Sequence, residues 1–168
     1  MGQTVFRQLI LGIDPGYDRC GWALVAQQNA AMKAVDFGCF QTSAKLSKVD
    51  RFALLWKEFS HLFAEYPIDV IAMESLFFSR NVSTALPVSE VRGMLFAQAF
   101  LNSVPIEEYS PGTIKLAVSG HGQAPKEQVT GMVQRLLKLE KIPNLDDTGD
   151  ALAVAVTHAS HWKPGKKL

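Results

Sequence analysis

The stretch LILGIDPGYDRCGWAL, residues 9–24, contains two apolar runs separated by a short polar turn. The flanking runs, LILGI and CGWAL, have the length and composition of buried strands. The intervening DPGYD supplies Asp, Pro and Gly, the residue types that favour tight turns. Because so short a connection joins antiparallel neighbours, the stretch predicts a β-hairpin near the start of the chain.

The segments that follow extend this hairpin and then change character. A third apolar run, residues 32–41, completes a three-stranded meander. Apolar side chains recur at helical spacing over residues 49–66, and Pro67 ends the pattern. Short strands then alternate with helices. The strands are predicted at residues 68–73 and 106–109. The first of the helices has Pro87 in its first turn and ends at about Asn102. The other helices are predicted over residues 111–119, 125–138 and 147–161.

This order of elements predicts an α/β fold: a five-stranded mixed sheet, three antiparallel strands and then two parallel ones, flanked by helices. A chain of 168 residues suits one core, so a single domain is expected over residues 1–161, with a basic, flexible tail over 162–168. No apolar run is long enough to span a bilayer, and the N-terminus lacks a signal-peptide stretch. A cytoplasmic location is therefore expected. The net charge of +1 does not decide for or against a nucleic acid partner.

Four acidic residues lie where an apolar run stops or a helix begins. Asp14 follows LILGI, Glu74 follows VIAM, and Asp147 and Asp150 lie three residues apart before ALAVAV. Carboxylates at strand ends and at a helix start can converge, and such a cluster repels itself unless a cation binds. Hard oxygen ligands suit Mg²⁺ or Mn²⁺, and two such ions about 3.5–4 Å apart recur in phosphodiester hydrolysis. The hypothesis is therefore a metal-dependent nuclease.

Each acid also has an ordinary structural interpretation. Asp14 could begin the Asp-Pro-Gly turn, and Asp147 could be a helix cap or an N-terminal charge worth roughly 0.5–1 kcal/mol. Glu74 and Asp150 adjoin strongly apolar segments, where an unpaired carboxylate is costly to bury. The ordinary interpretations are plausible one by one and poor together.

Four longer motifs occur in order along the chain: GIDPGYDRCGWAL, MESLFFSRNVSTAL, EYSPGTIKLAVSGHGQAPKEQV and DDTGDALAVAVTHA. Together they resemble the RuvC family, the bacterial Holliday-junction resolvases or crossover junction endodeoxyribonucleases, over residues 9–158. The resemblance implies the RNase H-like fold. It also implies metal-dependent phosphodiester hydrolysis in two opposing strands of a junction, with 5′-phosphate products, during DNA recombination and repair.

The resemblance assigns roles to individual residues. It carries the family's catalytic metal ligands to Asp14, Glu74, Asp147 and Asp150, with two Mg²⁺ ions per site expected and Mn²⁺ as a substitute. Spacing alone would also allow Asp146 in place of Asp147. For DNA binding the resemblance assigns Lys115 and Lys126 to phosphates and Phe77 to stacking. The loop neighbours Phe78, a second aromatic that departs from the family pattern, and Arg80, a basic side chain, complete the predicted DNA-binding set.

The implied partners are four-way junction DNA, a second copy of the chain, and the RuvA and RuvB branch-migration proteins. The helix that contains Arg92 and Gly93 corresponds to the family's dimer-forming region.

Three other functions compete with this prediction. IDPGYDRCGWAL also resembles the first phosphate loop of actin-type and sugar-kinase phosphotransferases, but 168 residues do not supply their second domain. A junction-binding module without catalysis would not need all four acids. A related RNase H-like nuclease acting on RNA or on another branched DNA is the nearest alternative.

Overall fold

Strands and helices alternate along the part of the chain that the structure, a computed structural model, describes: residues 8–28, 31–75, 82–141 and 146–161. The strands are β1 (Gln8–Asp14), β2 (Arg19–Gln28), β3 (Ala31–Gln41), β4 (Val70–Glu74) and β5 (Ile106–Tyr109). The helices are α1 (Lys48–Glu65), α2 (Val82–Leu101), α3 (Pro111–Ser119), α4 (Lys126–Leu136) and α5 (Asp146–His161). Each corresponds to an element predicted from the sequence, and most ends agree to within two residues.

The strands form one mixed sheet in the order β3-β2-β1-β4-β5. β1 pairs antiparallel with β2 and β2 with β3, whereas β4 lies parallel to both β1 and β5. Short turns permit only antiparallel neighbours, and the crossovers through α1 and α2 permit parallel ones. The predicted five-stranded mixed sheet is confirmed.

Helices cover both faces of the sheet. Alternate residues of β1 point to opposite faces, so Ile10 packs against α3, α4 and α5, while Leu11 and Ile13 pack against α1 and α2. The central strands β1 and β4 are therefore buried on both sides, as their nearly continuous apolar sequences require.

α5 approaches the sheet more closely than an ordinary helix can. A Cβ atom added to Gly12 would lie 2.2 Å from the main-chain oxygen of Ala151, and one added to Gly21 would lie 2.0 Å from that of Asp147. These separations leave no room for any side chain, so both glycines are required by the packing of α5. The N-terminus of α5 is consequently held against β1 and β2.

The predicted start of α2 is wrong. Pro87 was expected in the first helical turn, but the helix begins at Val82 and Pro87 lies inside it. Proline removes one main-chain hydrogen bond and is normally excluded from helix interiors. The buried side chains of Val91, Leu95 and Ala99, all further along α2, pack against the sheet and offset that loss. Of the helices described, none has both the length and the apolar character needed to cross a membrane.

Candidate active site

Two of the four acids lie side by side at one edge of the sheet. β1 and β4 run parallel, with Ile13 paired to Met73. The next residue on each strand is an acid, Asp14 on β1 and Glu74 on β4. Since parallel strands end at the same edge, the fold places these carboxylates next to each other.

α5 brings the other two acids to the same edge. Gly21, the β2 partner of Asp14, lies directly beneath the main chain of Asp147 in the first turn of the helix. Asp150 follows three residues later, on the same helix face. The four acids thus meet where β1 and β4 end and α5 begins. They are called the carboxylate cluster below.

The structure distinguishes Asp147 from its neighbour Asp146. The side chain of Asp146 is 75% exposed, whereas that of Asp147 is 18% exposed. The charge of Asp147 also raises the pKa of Asp14. Of the two residues that spacing alone would allow, Asp147 faces the cluster.

Burial and mutual repulsion raise the pKa values of two acids of the cluster. The pKa of Asp14 is raised from 3.8 to about 7, first by burial and then by the charges of Asp150, Glu74 and Asp147. The pKa of Glu74 is also raised, by burial and by the charge of Asp150. Such effects require like charges at short range in a partly desolvated place. The arrangement therefore favours any cation that can bind there.

Two basic side chains already neutralise part of the cluster. Nζ of Lys126 lies 2.7 Å from Oδ2 of Asp150 and 3.7 Å from Oδ2 of Asp146. Burial lowers the pKa of Lys126, but the hydrogen bond and charge of Asp150 outweigh this effect and leave it raised. Nε of Arg19 lies 3.1 Å from Oδ2 of Asp147.

Arg19 is not among the site residues predicted from the sequence. It begins β2, and the register of the hairpin places it at the same edge of the sheet as Asp14. That register is the signal that could have identified it, because an arginine after a turn is otherwise an unremarkable surface residue.

The two predicted lysines border a pocket beside the cluster. The pocket has a volume of about 200 Å³ and is lined by Glu74, Pro111, Ile114, Lys115, Lys126, Val129, Asp150 and Ala153. Lys115 reaches it from α3, a helix that is capped by Ser110 at its N-terminus and by a left-handed Gly120 at its C-terminal end. The predicted acids Glu74 and Asp150 therefore share one concave surface with the two predicted phosphate-binding lysines.

No three acidic, histidine or cysteine side chains in the described ranges are arranged as a ready metal-binding group. Lys126 and Arg19 each contact a carboxylate oxygen of the cluster. Phe77, Phe78 and Arg80 lie outside the described residues.

The fold and the carboxylate cluster together invite comparison with known nucleases. The family model described as crossover junction endodeoxyribonuclease RuvC matches residues 10–158. The chain belongs to the RuvC family. The crossover junction endodeoxyribonuclease RuvC of Roseiflexus sp. is 42% identical over 148 residues, which cover 88% of each protein. That of Clostridioides difficile is 41% identical over 160 residues, which cover 95% of each.

Solved RuvC structures agree with the fold. The structure of Thermus thermophilus RuvC in complex with Holliday junction substrate matches with a TM-score of 0.86 at 30% identity, covering 91% of this chain and 93% of that one. The predicted RuvC resemblance and RNase H-like fold are both confirmed. Membership of this family of nucleases implies dependence on a divalent metal.

Proposed function

We propose that this chain resolves Holliday junctions by hydrolysing phosphodiester bonds symmetrically in two opposing strands, during DNA recombination and repair. Membership of the RuvC family gives the enzyme class, crossover junction endodeoxyribonuclease. The observation that carries the proposal to this chain's own residues is the convergence of Asp14, Glu74, Asp147 and Asp150 at one edge of the sheet.

The residues of the cluster fit a divalent metal. All four donors are hard carboxylate oxygens, and burial together with the charges of the other three acids raises the pKa of Asp14 to about 7. Oδ2 of Asp147 is buried and receives no hydrogen bond from the described residues, although Nε of Arg19 lies 3.1 Å away. We assign the four acids as ligands of two Mg²⁺ ions, with Mn²⁺ as a substitute. When bound, the ions would supply an activated water and charge stabilisation for the leaving oxygen.

The side chains have distinct tasks in this scheme. Asp14 interacts with all three other acids and is the central ligand. Lys115 and Lys126 line the pocket beside Glu74 and hold phosphates of the junction. A water attacks phosphorus in line, the bond to the 3′ oxygen breaks, and that oxygen takes up a proton, which leaves a 5′-phosphate and a 3′-hydroxyl.

Symmetric cutting requires two sites, and α2 offers a surface for a second copy. Its outward face carries Phe96 and Phe100, which are 43% and 83% exposed, around the small residues Gly93 and Ala97. Small residues between exposed aromatics permit close approach of another helix, and an apolar patch of this kind marks an interaction surface. We propose a homodimer through this face.

Several further assignments are proposals from the sequence. By family resemblance Phe77 is proposed to stack at the junction centre, and its loop neighbours Phe78 and Arg80, a second aromatic and a basic side chain, are proposed to contact the DNA. RuvA and RuvB are proposed as partner proteins. Residues 1–161 are proposed as one nuclease domain, residues 162–168 as a flexible basic tail, and the cytoplasm as the location.

The deciding experiment is cleavage of a synthetic four-way junction with and without Mg²⁺ or Mn²⁺, using a linear duplex and an RNA–DNA hybrid as controls. Paired symmetric nicks that require metal and occur only in the junction are expected. Binding without cutting in either metal would favour an inactive junction-binding module. Cutting of the hybrid instead would favour another RNase H-like nuclease.

A further inference from the structure

Arg92 is a buried cation on α2 that the proposed reaction does not use. Its side chain is 7% exposed, although arginine is rarely buried unless it is paired. The guanidinium makes two contacts at the sheet edge. Nη1 donates to the main-chain carbonyl of Glu74, and Nη2 donates to the carboxylate of Glu108. Arg92 therefore hydrogen-bonds to the end of β4, at Glu74 of the carboxylate cluster.

These contacts fall where the strand ladder ends. Glu74 is the last residue of β4 and is paired with Tyr109 of β5, and the next amide, that of Ser75, donates to the carbonyl of Tyr109. Glu108 precedes Tyr109 on β5. Arg92 thus ties the end of β4 to β5 from the helix layer, at the point where the backbone would otherwise begin to leave the sheet.

We propose that Arg92 is a positioning residue for Glu74. Its hydrogen bond fixes the peptide plane that follows Glu74, and with it the direction in which the Glu74 carboxylate leaves the strand. Groups that orient a metal ligand from behind commonly change metal affinity or activity by about 10–100-fold when they are removed. The inference rests on Glu74 being a metal ligand, as proposed above.

Arg92 also touches the face of α2 that is proposed to bind a second copy. Its guanidinium carbon lies 5.9 Å from the centre of the Phe96 ring, and Phe96 is an exposed aromatic of that face. One side chain therefore contacts both the proposed dimer surface and the strand end that carries Glu74.

Two substitutions and a matched control test this role. Arg92→Met fills the space without donating hydrogen bonds, and Arg92→Lys keeps a cation with a shorter reach. Arg51→Met is the control, because Arg51 is also a buried arginine, but it contacts Tyr17, Asp18 and Thr42 and none of the four acids. Single-turnover cleavage of a four-way junction is measured over a range of Mg²⁺ concentrations, with folding followed by thermal melting and dimer content by analytical ultracentrifugation.

The Mg²⁺ dependence of cleavage distinguishes a loss of Glu74 positioning from a general loss of packing. For Arg92→Met we expect the half-maximal Mg²⁺ concentration to rise, or the maximal rate to fall, by about 10–100-fold with the dimer intact, and a smaller change of the same kind for Arg92→Lys. Arg51→Met should lower the melting temperature and leave the Mg²⁺ dependence of the folded protein unchanged. If Arg92→Met does not fold, a shift in Arg92→Lys carries the same support.

Three outcomes would overturn the role of Arg92: an unchanged Mg²⁺ dependence and rate in the folded variants, an equal shift in Arg51→Met, or a loss of activity explained by dissociation of the dimer. Failure of the proposed function would look different. In that case the wild-type chain would not cut the junction, or Glu74→Gln would cut it at the wild-type rate.

Discussion

Asp14 illustrates, at the scale of a single residue, a conflict between stability and function. Its carboxylate is partly buried beside three others, and its pKa is raised to about 7. We expect Asp14→Asn to reduce junction cleavage by more than about 100-fold, since even supporting partners of metal ligands are worth about 10–100-fold. Junction binding should remain. The same substitution should stabilise the metal-free protein near pH 8, by roughly 1–4 kcal/mol, because it removes the repelled charge.

Cleavage assays, gel-shift binding and thermal melting in the presence of a chelator measure the three effects. Glu65→Gln is a suitable control, because Glu65 is an exposed acid at the end of α1 on the other side of the sheet. Cleavage by Asp14→Asn at near the wild-type rate would exclude the assignment of the cluster as the metal site.

Substitution of Lys115 tests whether this side chain contributes to the salt dependence of DNA binding. It lines the pocket beside Glu74 and Asp150. We expect Lys115→Ala to weaken junction binding and to reduce the slope of log affinity against log salt concentration by about 1, because one phosphate contact and its released counterion are lost. Titrations at several salt concentrations measure the slope. Lys57→Ala, which changes an exposed lysine of α1, should leave it unchanged. Equal slopes for the two variants would contradict phosphate contact by Lys115.

His158 makes the stability of the fold depend on pH. It is 3% exposed, its Nδ1 lies 2.9 Å from the hydroxyl of Tyr109, and its Nε2 has no hydrogen-bond partner within the described residues. Burial, with a contribution from His161, lowers the pKa of His158 from 6.5 to about 4. Between about pH 6.5 and pH 4, His158 is therefore protonated in the unfolded chain and neutral in the folded chain. This group should cost about 3 kcal/mol of stability over that interval as the pH falls.

Chemical denaturation of the wild-type protein and His158→Asn between pH 7 and pH 4 measures this contribution. Asp14 acts in the opposite direction, because its raised pKa lets the folded protein bind a proton first as the pH falls. Both proteins contain Asp14, so its effect cancels in the difference. The wild-type stability should fall more steeply with decreasing pH than that of the variant, and parallel curves would show that His158 is not buried in its neutral form.

At the scale of the element, the position of α5 depends on the lack of a side chain at the glycines beneath it. A Cβ atom on Gly21 would lie 2.0 Å from the main-chain oxygen of Asp147. We expect Gly21→Ala to displace the first turn of α5, to destabilise the protein by about 1–3 kcal/mol, and to reduce cleavage, because Asp147 moves with the helix. Denaturation and junction cleavage measure the two effects.

Gly131→Ala is the matched control for this substitution. Gly131 lies in α4, and an added Cβ there would meet no atom within 4 Å. Alanine should therefore stabilise the helix by about 0.5–1 kcal/mol and leave cleavage unchanged. If both glycine substitutions behaved alike, the close approach of α5 to β2 would not be needed for the site.

The elements and their order could be predicted because their signals are local. The alternation of apolar runs and turns predicted β1 to β3, and α3 was predicted over residues 111–119, as observed. The start of α2 was misjudged because packing of its later turns outweighs the cost of Pro87. Arg19 and Arg92 could not be found by motif, since their contacts with Asp147 and Glu74 depend on strand register and on helix packing across the sheet.

At the scale of the whole molecule, convergence of the acids was predictable where topology alone decides it. Asp14 and Glu74 end neighbouring parallel strands, so their proximity follows from the strand order. Spacing alone left Asp146 and Asp147 open and the family motif favoured Asp147; the structure agrees, because the side chain of Asp147 is 18% exposed and that of Asp146 is 75% exposed. The ion pair between Lys126 and Asp150 could not be predicted from the sequence, because it depends on how α4 packs beside α5.

Phe100, the most exposed of the large apolar side chains described on α2, tests whether the molecule works as a pair. Phe100 is 83% exposed on the face that also contains Gly93 and Ala97. If this face binds a second copy, Phe100→Glu should produce monomers in analytical ultracentrifugation while the melting temperature of the monomer remains that of a folded protein. A charge placed in an apolar contact between copies is desolvated without a partner, which opposes association.

Loss of pairing should change the products as well as the mass. A dimer cuts opposing strands of one junction in close succession, so Phe100→Glu is expected to leave singly nicked junctions at limiting protein concentration. Val35→Glu is the control, because Val35 is 45% exposed on the edge strand β3, away from α2. A Phe100→Glu protein that stays dimeric and nicks both strands together would place the dimer surface elsewhere, and would remove the reason for linking Arg92 to association.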